Sequence, residues 1–169
     1  MVVLGTIMFG GTVFALQLNH SDFNDTAACL GPQVASVLDA LAALPELLDT
    51  AWYAGAFDMI WPEEIRGALR KYEASEPVLI DDIGTFVPLV RKVGQFLDGV
   101  FFSVPVGQPP LVAVKLLTAD GPIEKLVTNA IVQVCAFDTS WIEIGTEDES
   151  MIRSLQLRFG GKIVDTDDG

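Results

Sequence analysis

Glycine and proline divide this chain of 169 residues into short apolar segments, and that division limits what it can fold into. Gly10-Gly11, Pro45, Pro62, Pro109-Pro110 and Gly160-Gly161 interrupt the hydrophobic runs. Proline lacks the amide hydrogen that regular structure needs, and glycine readily adopts a positive φ, so both residues end helices and strands. The sequence therefore predicts a succession of short helices and strands.

The N-terminal half predicts a hairpin followed by helices. Residues 2–9 and 12–18 are β-rich and flank two glycines, a signal for a tight hairpin turn with positive φ. Apolar spacing of i, i+3, i+4, i+7 predicts a helix over residues 32–44. A proline at its start and charges that suit the helix dipole predict another over residues 62–73.

Two further segments favour helices less clearly. Residues 46–61 are ambiguous, but Tyr53, Phe57 and Trp61 recur at i, i+4, i+8, which favours a helix with an aromatic stripe. The apolar spacing of residues 85–97 also predicts a helix, although the glycine at position 94 weakens this prediction.

The C-terminal third predicts strands and then a helix. The β-rich segments cover residues 100–106, 111–117, 126–137 and 141–144, with turn signals at residues 107–110 and 120–121. Thr146 and Glu149 match a capping box, and Gly160-Gly161 would end the helix that follows.

These elements together predict an α+β fold. It has an N-terminal β-hairpin, a central helical block, C-terminal antiparallel strands and a final helix, arranged as one sheet with helices on one face. The length suits a single domain, which we place at residues 1–164, with residues 165–169 as an acidic tail.

The net charge of the chain indicates which kinds of partner it can bind. The chain has 23 Asp and Glu against 10 Lys and Arg, a net charge of −13, and residues 1–65 contain no Lys or Arg. Direct nucleic-acid binding is disfavoured because it needs cations that neutralise phosphates. A large negative charge instead favours electrostatic steering toward a basic protein, or serves solubility.

Motifs for catalysis and cofactors are weak. His20 is the single histidine, and Cys29 precedes a predicted helix whose N-terminus could lower a thiol pKa, so the two could form a catalytic pair. Carboxylate runs such as Asp81-Asp82 suit surfaces better than acid–base chemistry. One histidine and two distant cysteines do not suit a zinc site, and we expect no metal and no cofactor.

Localisation follows from the cysteines and the N-terminus. Cys29 and Cys135 cannot form a disulfide framework and favour a reducing compartment, so we expect a cytoplasmic protein. The apolar residues 1–18 lack a basic region and a cleavage pattern and are too short and broken for a membrane span. We therefore expect no membrane association.

The function predicted is that of a non-enzymatic, acidic protein-binding domain, similar in composition to inhibitors and immunity proteins, that engages a basic partner such as a nuclease. The aromatic stripe is either core or surface, and Trp141 with Glu143 is a smaller acidic–aromatic pair. The alternatives are a small enzyme or ligand-binding domain with a pocket that uses a carboxylate or His20 and Cys29, and a structural or scaffold subunit that buries its apolar excess in a homo-oligomer such as a homodimer. The candidate partner-binding residues are Trp52, Tyr53, Asp58, Trp61, Glu63, Glu64, Glu147 and Asp148.

Overall fold

An antiparallel sheet of seven strands runs through the parts of the chain that the computed structural model describes, residues 12–112 and 127–165. The strands are β1 Phe14–Leu18, β2 Thr50–Ile60, β3 Val78–Leu79, β4 Gln95–Pro105, β5 Val132–Phe137, β6 Trp141–Thr146 and β7 Lys162–Asp165. Their order in the sheet is β3-β2-β4-β5-β6-β1-β7.

Four α-helices accompany the strands in the described ranges. They are α1 Gly31–Ala42, α2 Glu63–Leu69, α3 Ile83–Arg91 and α4 Glu149–Phe159, and short 3-10 helices cover His20–Phe23, Pro45–Leu47 and Arg70–Glu73. The helices predicted over residues 32–44 and 62–73 are confirmed, as is the final helix, which ends at Gly160 with a φ of +80°.

The main core lies between the helices and one face of the sheet, because side chains from both are buried in a single cluster. Leu38 of α1, Val90 of α3 and Ile152 of α4 join Phe101 of β4 and Ile144 of β6 there. A smaller cluster on the opposite face contains Val100, Phe102, Val104, Val127, Ala130 and Cys135. The predicted α+β fold, with helices on one face of one sheet, is confirmed.

The helix favoured for residues 46–61 is wrong, because most of this segment is the long strand β2. Its register with β4 shifts between Gly55 and Asp58, and Ala56 has a φ of +55° within this bulge. The bulge places Phe57 in the main core with Trp52, whereas Tyr53 stacks on Phe102 at the opposite face with 5.6 Å between ring centroids. A spacing of four residues therefore arises in a bulged strand, and pairing with strands on both sides outweighs the helical pattern.

The helix predicted over residues 85–97 is too long. It runs over Ile83–Arg91 with Asp82 as its cap, and Phe96 and Leu97 belong to β4. The Gly94 amide donates to the Ile60 carbonyl at 2.8 Å, so the chain already pairs with β2 there.

The remaining strands follow the prediction in part. The second strand of the predicted hairpin is confirmed as β1, and residues 141–144 form most of β6. The first hairpin strand, most of residues 111–117, the turn at 120–121 and residues 166–169 of the tail lie outside the described residues. The sequence did not predict β3 or β7, and β7 includes Asp165, which we assigned to the tail.

Candidate functional site

The candidate partner-binding residues do not share one surface. Trp52 is 4% exposed and packs in the main core, so it is not available to a partner in this fold. Tyr53 is half-buried against Phe102 on the opposite face.

The charged candidates are divided between the two ends of the sheet. Asp58 of β2 pairs with Asp98 of β4, which in turn is level with Phe137 at the end of β5. Glu147 and Asp148 directly follow β6, whose last residue pairs with Val132 at the other end of β5. The six residues of β5 separate these ends by about 17 Å. A partner surface that contains Asp58 is therefore distinct from one that contains Glu147.

The end of the sheet that contains Asp58 is rich in carboxylates. Asp58 and Asp98 are directly opposite on neighbouring strands, and Asp138 follows Phe137 on the next strand. Adjacent strands lie about 4.8 Å apart, so three neighbouring strands place these acids within roughly 10 Å. Asp98 and Asp138 are not among the candidates from the sequence, because only the register of the strands shows that they lie near Asp58. We refer to Asp58, Asp98, Asp138, Glu63 and Glu64 as the acidic end.

Glu63 and Glu64 belong to this region because only two residues separate the end of β2 from the start of α2. Both are exposed in the first turn, where the positive end of the helix dipole favours carboxylates. Trp61 is half-buried between β2 and α2, and the guanidinium of Arg66 lies 5.7 Å from its ring centroid. The candidates Asp58, Trp61, Glu63 and Glu64 thus lie at the junction of β2 and α2.

At the opposite end of the sheet, which contains Glu147 and Asp148, the charge of Asp148 stabilises the start of α4. Asp148 accepts hydrogen bonds from the amides of Ser150 at 2.9 Å and Met151 at 3.2 Å, so it caps α4. The hydrogen bonds from Ser150 and Met151 lower the pKa of Asp148. The predicted capping box is therefore wrong: Thr146 donates to the Ile131 carbonyl instead, at 2.8 Å.

An open cleft of about 870 Å³ lies beside this first turn of α4, lined by residues 128–131 and 146–150. Its polar side chains already bond within the fold. Thr128 donates to the Leu111 carbonyl at 3.1 Å, Asn129 to the Pro109 carbonyl at 2.9 Å, and Glu149 pairs with Arg153. The side chains of Thr128, Asn129 and Glu149 in this cleft are therefore already engaged with the protein itself.

Cys29 and His20 do not form an activated catalytic pair. Cys29 is fully buried, its Sγ donates to the Trp141 carbonyl at 3.1 Å, and burial raises its pKa to about 11. His20 is exposed on a 3-10 helix. A thiolate nucleophile needs a lowered pKa and access to substrate, and Cys29 has neither.

Glu143 is a buried carboxylate on the face of the sheet opposite the helices. It is 2% exposed and accepts hydrogen bonds from Gln17 Nε2 at 2.9 Å and Trp141 Nε1 at 3.1 Å. Desolvation raises the pKa of the facing Cys135 to about 12, and the charge of Glu143 adds to that rise. The bond from Gln17 therefore ties β1 to β6 through Glu143, and the Glu143 carboxylate itself is not exposed to a partner.

Two further observations concern the described residues. No group of three or more His, Cys, Asp or Glu side chains there is arranged to hold a metal ion. None of the helices in these ranges has both the length and the apolar character that crossing a bilayer requires.

Comparison with known proteins finds no matching family model, no curated protein of significant similarity and no solved structure with a significantly similar fold.

Proposed function

We propose that this protein is a cytoplasmic, non-enzymatic binding domain, comparable to an inhibitor or immunity protein, that engages a basic protein partner through the acidic end. The observation that carries this proposal is the convergence of acids from three neighbouring strands and the start of α2. A basic partner, such as a nucleic-acid enzyme with a cationic active site, has the complementary charge.

Two exposed acids at the acidic end, Asp58 and Glu64, support this assignment. Within residues 12–112 and 127–165, Arg91 pairs with Asp39, Arg153 with Glu149 and Arg66 with Glu63. Asp58 and Glu64 are both exposed and take part in none of these pairs. Their carboxylates are therefore accessible to cations of a partner.

Aromatic side chains at the same end supply contact area. Trp61 is half-buried next to the exposed Ile60, and Phe137 and Trp141 are half-buried with their rings stacked at 5.0 Å. Protein interfaces are enriched in aromatic residues at their centres and place charges around them, where they accelerate association. The acidic end combines both features.

The test begins with the capture of a binding protein and continues with the purified pair. Tagged protein is incubated with host lysate at about 0.05 M salt, and bound proteins are eluted at about 0.5 M salt, where surface charges are screened. The captured basic protein is then purified, and its Kd is measured against the wild type and two charge-reversed variants.

The two variants carry the same charge at opposite ends of β2. Asp58→Lys with Glu64→Lys changes the acidic end, and Glu46→Lys with Asp49→Lys changes exposed residues that precede β2, about 25 Å away along the strand. Each pair raises the net charge by four. We expect the first pair to weaken binding at least about tenfold and the second to change it much less. Equal weakening by both, or the capture of no basic protein, would refute the proposal.

A further inference from the structure

We infer that Trp61 and Glu63 form a binding site for an arginine side chain of the partner, and that the protein's own Arg66 occupies this site before the partner binds. This inference rests on the proposed function. It specifies that the partner is bound through an arginine, and that Arg66 competes with that arginine for the same site. Trp61 and Glu63 are called the arginine-binding site below.

The geometry around Arg66 shows how a guanidinium fits there. Its Cζ lies 5.7 Å from the centroid of the Trp61 ring, and its Nη1 lies 3.7 Å from Glu63 Oε2. The ring therefore offers a face to the cation while the carboxylate faces its N–H groups. A planar guanidinium suits this combination better than an ammonium ion, because it stacks on aromatic rings and also pairs with carboxylates.

Arg66 is held loosely enough to be displaced. Its separation from Glu63 is 3.7 Å, whereas Arg91 lies 2.6 Å from Asp39. The side chains of Arg66 and Glu63 are 50% and 85% exposed, and ion pairs in such surroundings contribute little. A partner's arginine can therefore replace Arg66 at small cost.

The surroundings of the site favour an incoming cation. Glu64 is exposed next to Glu63, and Asp58 is exposed three residues before Trp61. Together with Glu63, these two acids place three exposed carboxylates within three positions of Trp61 along the chain, and their charge favours an incoming cation. Arg66 therefore lowers the affinity for arginine-bearing partners.

The experiment compares Arg66→Gln with Arg70→Gln. Arg70 is exposed at the start of the 3-10 helix that follows α2, and it makes no ion pair or ring contact within the described ranges. Each substitution removes one positive charge, so general electrostatics change equally. The probes are octa-arginine and octa-lysine peptides, with Kd measured by calorimetry and the Trp61 indole N–H followed by NMR.

Arg66→Gln should bind octa-arginine about threefold to tenfold more tightly than Arg70→Gln does, with a matching shift of the Trp61 resonance. Octa-lysine should show no comparable difference, and adding Trp61→Leu to Arg66→Gln should abolish the gain.

Three results would overturn the inference. Equal affinities of the two arginine variants for octa-arginine would reduce the effect to net charge and leave the proposed function standing. An equal gain for octa-lysine would show that the site does not select a guanidinium. If neither peptide binds to any form, the arginine-binding site and the acidic end as a binding surface are both wrong.

Discussion

The close approach of α1 to α3 predicts that Gly31→Ala destabilises the protein. A Cβ atom at Gly31 would lie 2.1 Å from the Val93 carbonyl oxygen and 2.5 Å from that of Val90. Both atoms belong to the backbone, Val90 in the last turn of α3 and Val93 two residues after its end, so no side chain can rotate away. Contacts under 3.0 Å are essentially never seen for real Cβ atoms, so the helices must separate by about 1 Å.

The magnitude follows from two opposing effects. Forcing an extra methyl group into packed structure costs about 1–3 kcal/mol. Alanine is a better helix former than glycine by up to about 1 kcal/mol, and by less at the first helical position, which Gly31 occupies. We therefore expect a net loss of about 1–2 kcal/mol in the free energy of unfolding.

Gly67→Ala is the matched control, because it makes the same substitution in another helix. Apart from its chain neighbours and the backbone of its own helix, no described atom lies within 4 Å of a Cβ placed at Gly67, so helix propensity acts alone. This variant should gain about 0.5–1 kcal/mol. Urea unfolding followed by tryptophan fluorescence measures both changes. If Gly31→Ala is as stabilising as Gly67→Ala, the argument from the contact between α1 and α3 is refuted.

Three further predictions concern single side chains. Asp148→Ala should cost about 1 kcal/mol in urea unfolding because it removes the cap of α4, whereas Glu149→Ala should cost a few tenths of this; a larger loss at Glu149 would restore the capping box. Ser103→Ala should leave the free energy of unfolding unchanged or raise it by about 1 kcal/mol, since its buried hydroxyl has no hydrogen-bond partner among the described residues; a clear loss in thermal unfolding would contradict this. Burial raises the pKa of Cys29 to about 11 and of Cys135 to about 12, above the ordinary 9.0. The unfolded chain therefore releases these protons first, and stability should be complete below pH 9 and fall as the pH rises toward 11 and 12. Cys135→Ala should reduce the slope of unfolding free energy against pH in this range, and an unchanged slope would show that the thiol does not cause it.

Local signals in the sequence predicted much of the architecture. The helix that became α1 was recognisable from its apolar spacing, α2 from the proline and acids at its start, and the end of α4 from Gly160. These signals act between residues a few positions apart, so they can be read along the chain. The α+β class follows from the same local patterns.

The assignment of residues 50–60 required the tertiary structure. Tyr53 and Phe57 have helical spacing, but β2 lies between β3 and β4, and a bulge at Ala56 turns the two rings to opposite faces. The partners that stabilise the strand are distant in sequence, so local spacing does not reveal them.

The candidate site shows the same division. Asp58, Trp61, Glu63 and Glu64 were predicted together because they are close in sequence, and they do adjoin at the end of β2 and the start of α2. The addition of Asp98 and Asp138, the burial of Trp52 and the separation of Glu147 from Asp58 all depend on strand register. Register is set by hydrogen bonds and packing between strands far apart in the chain, and for that reason the full surface emerges only when the sheet is assembled.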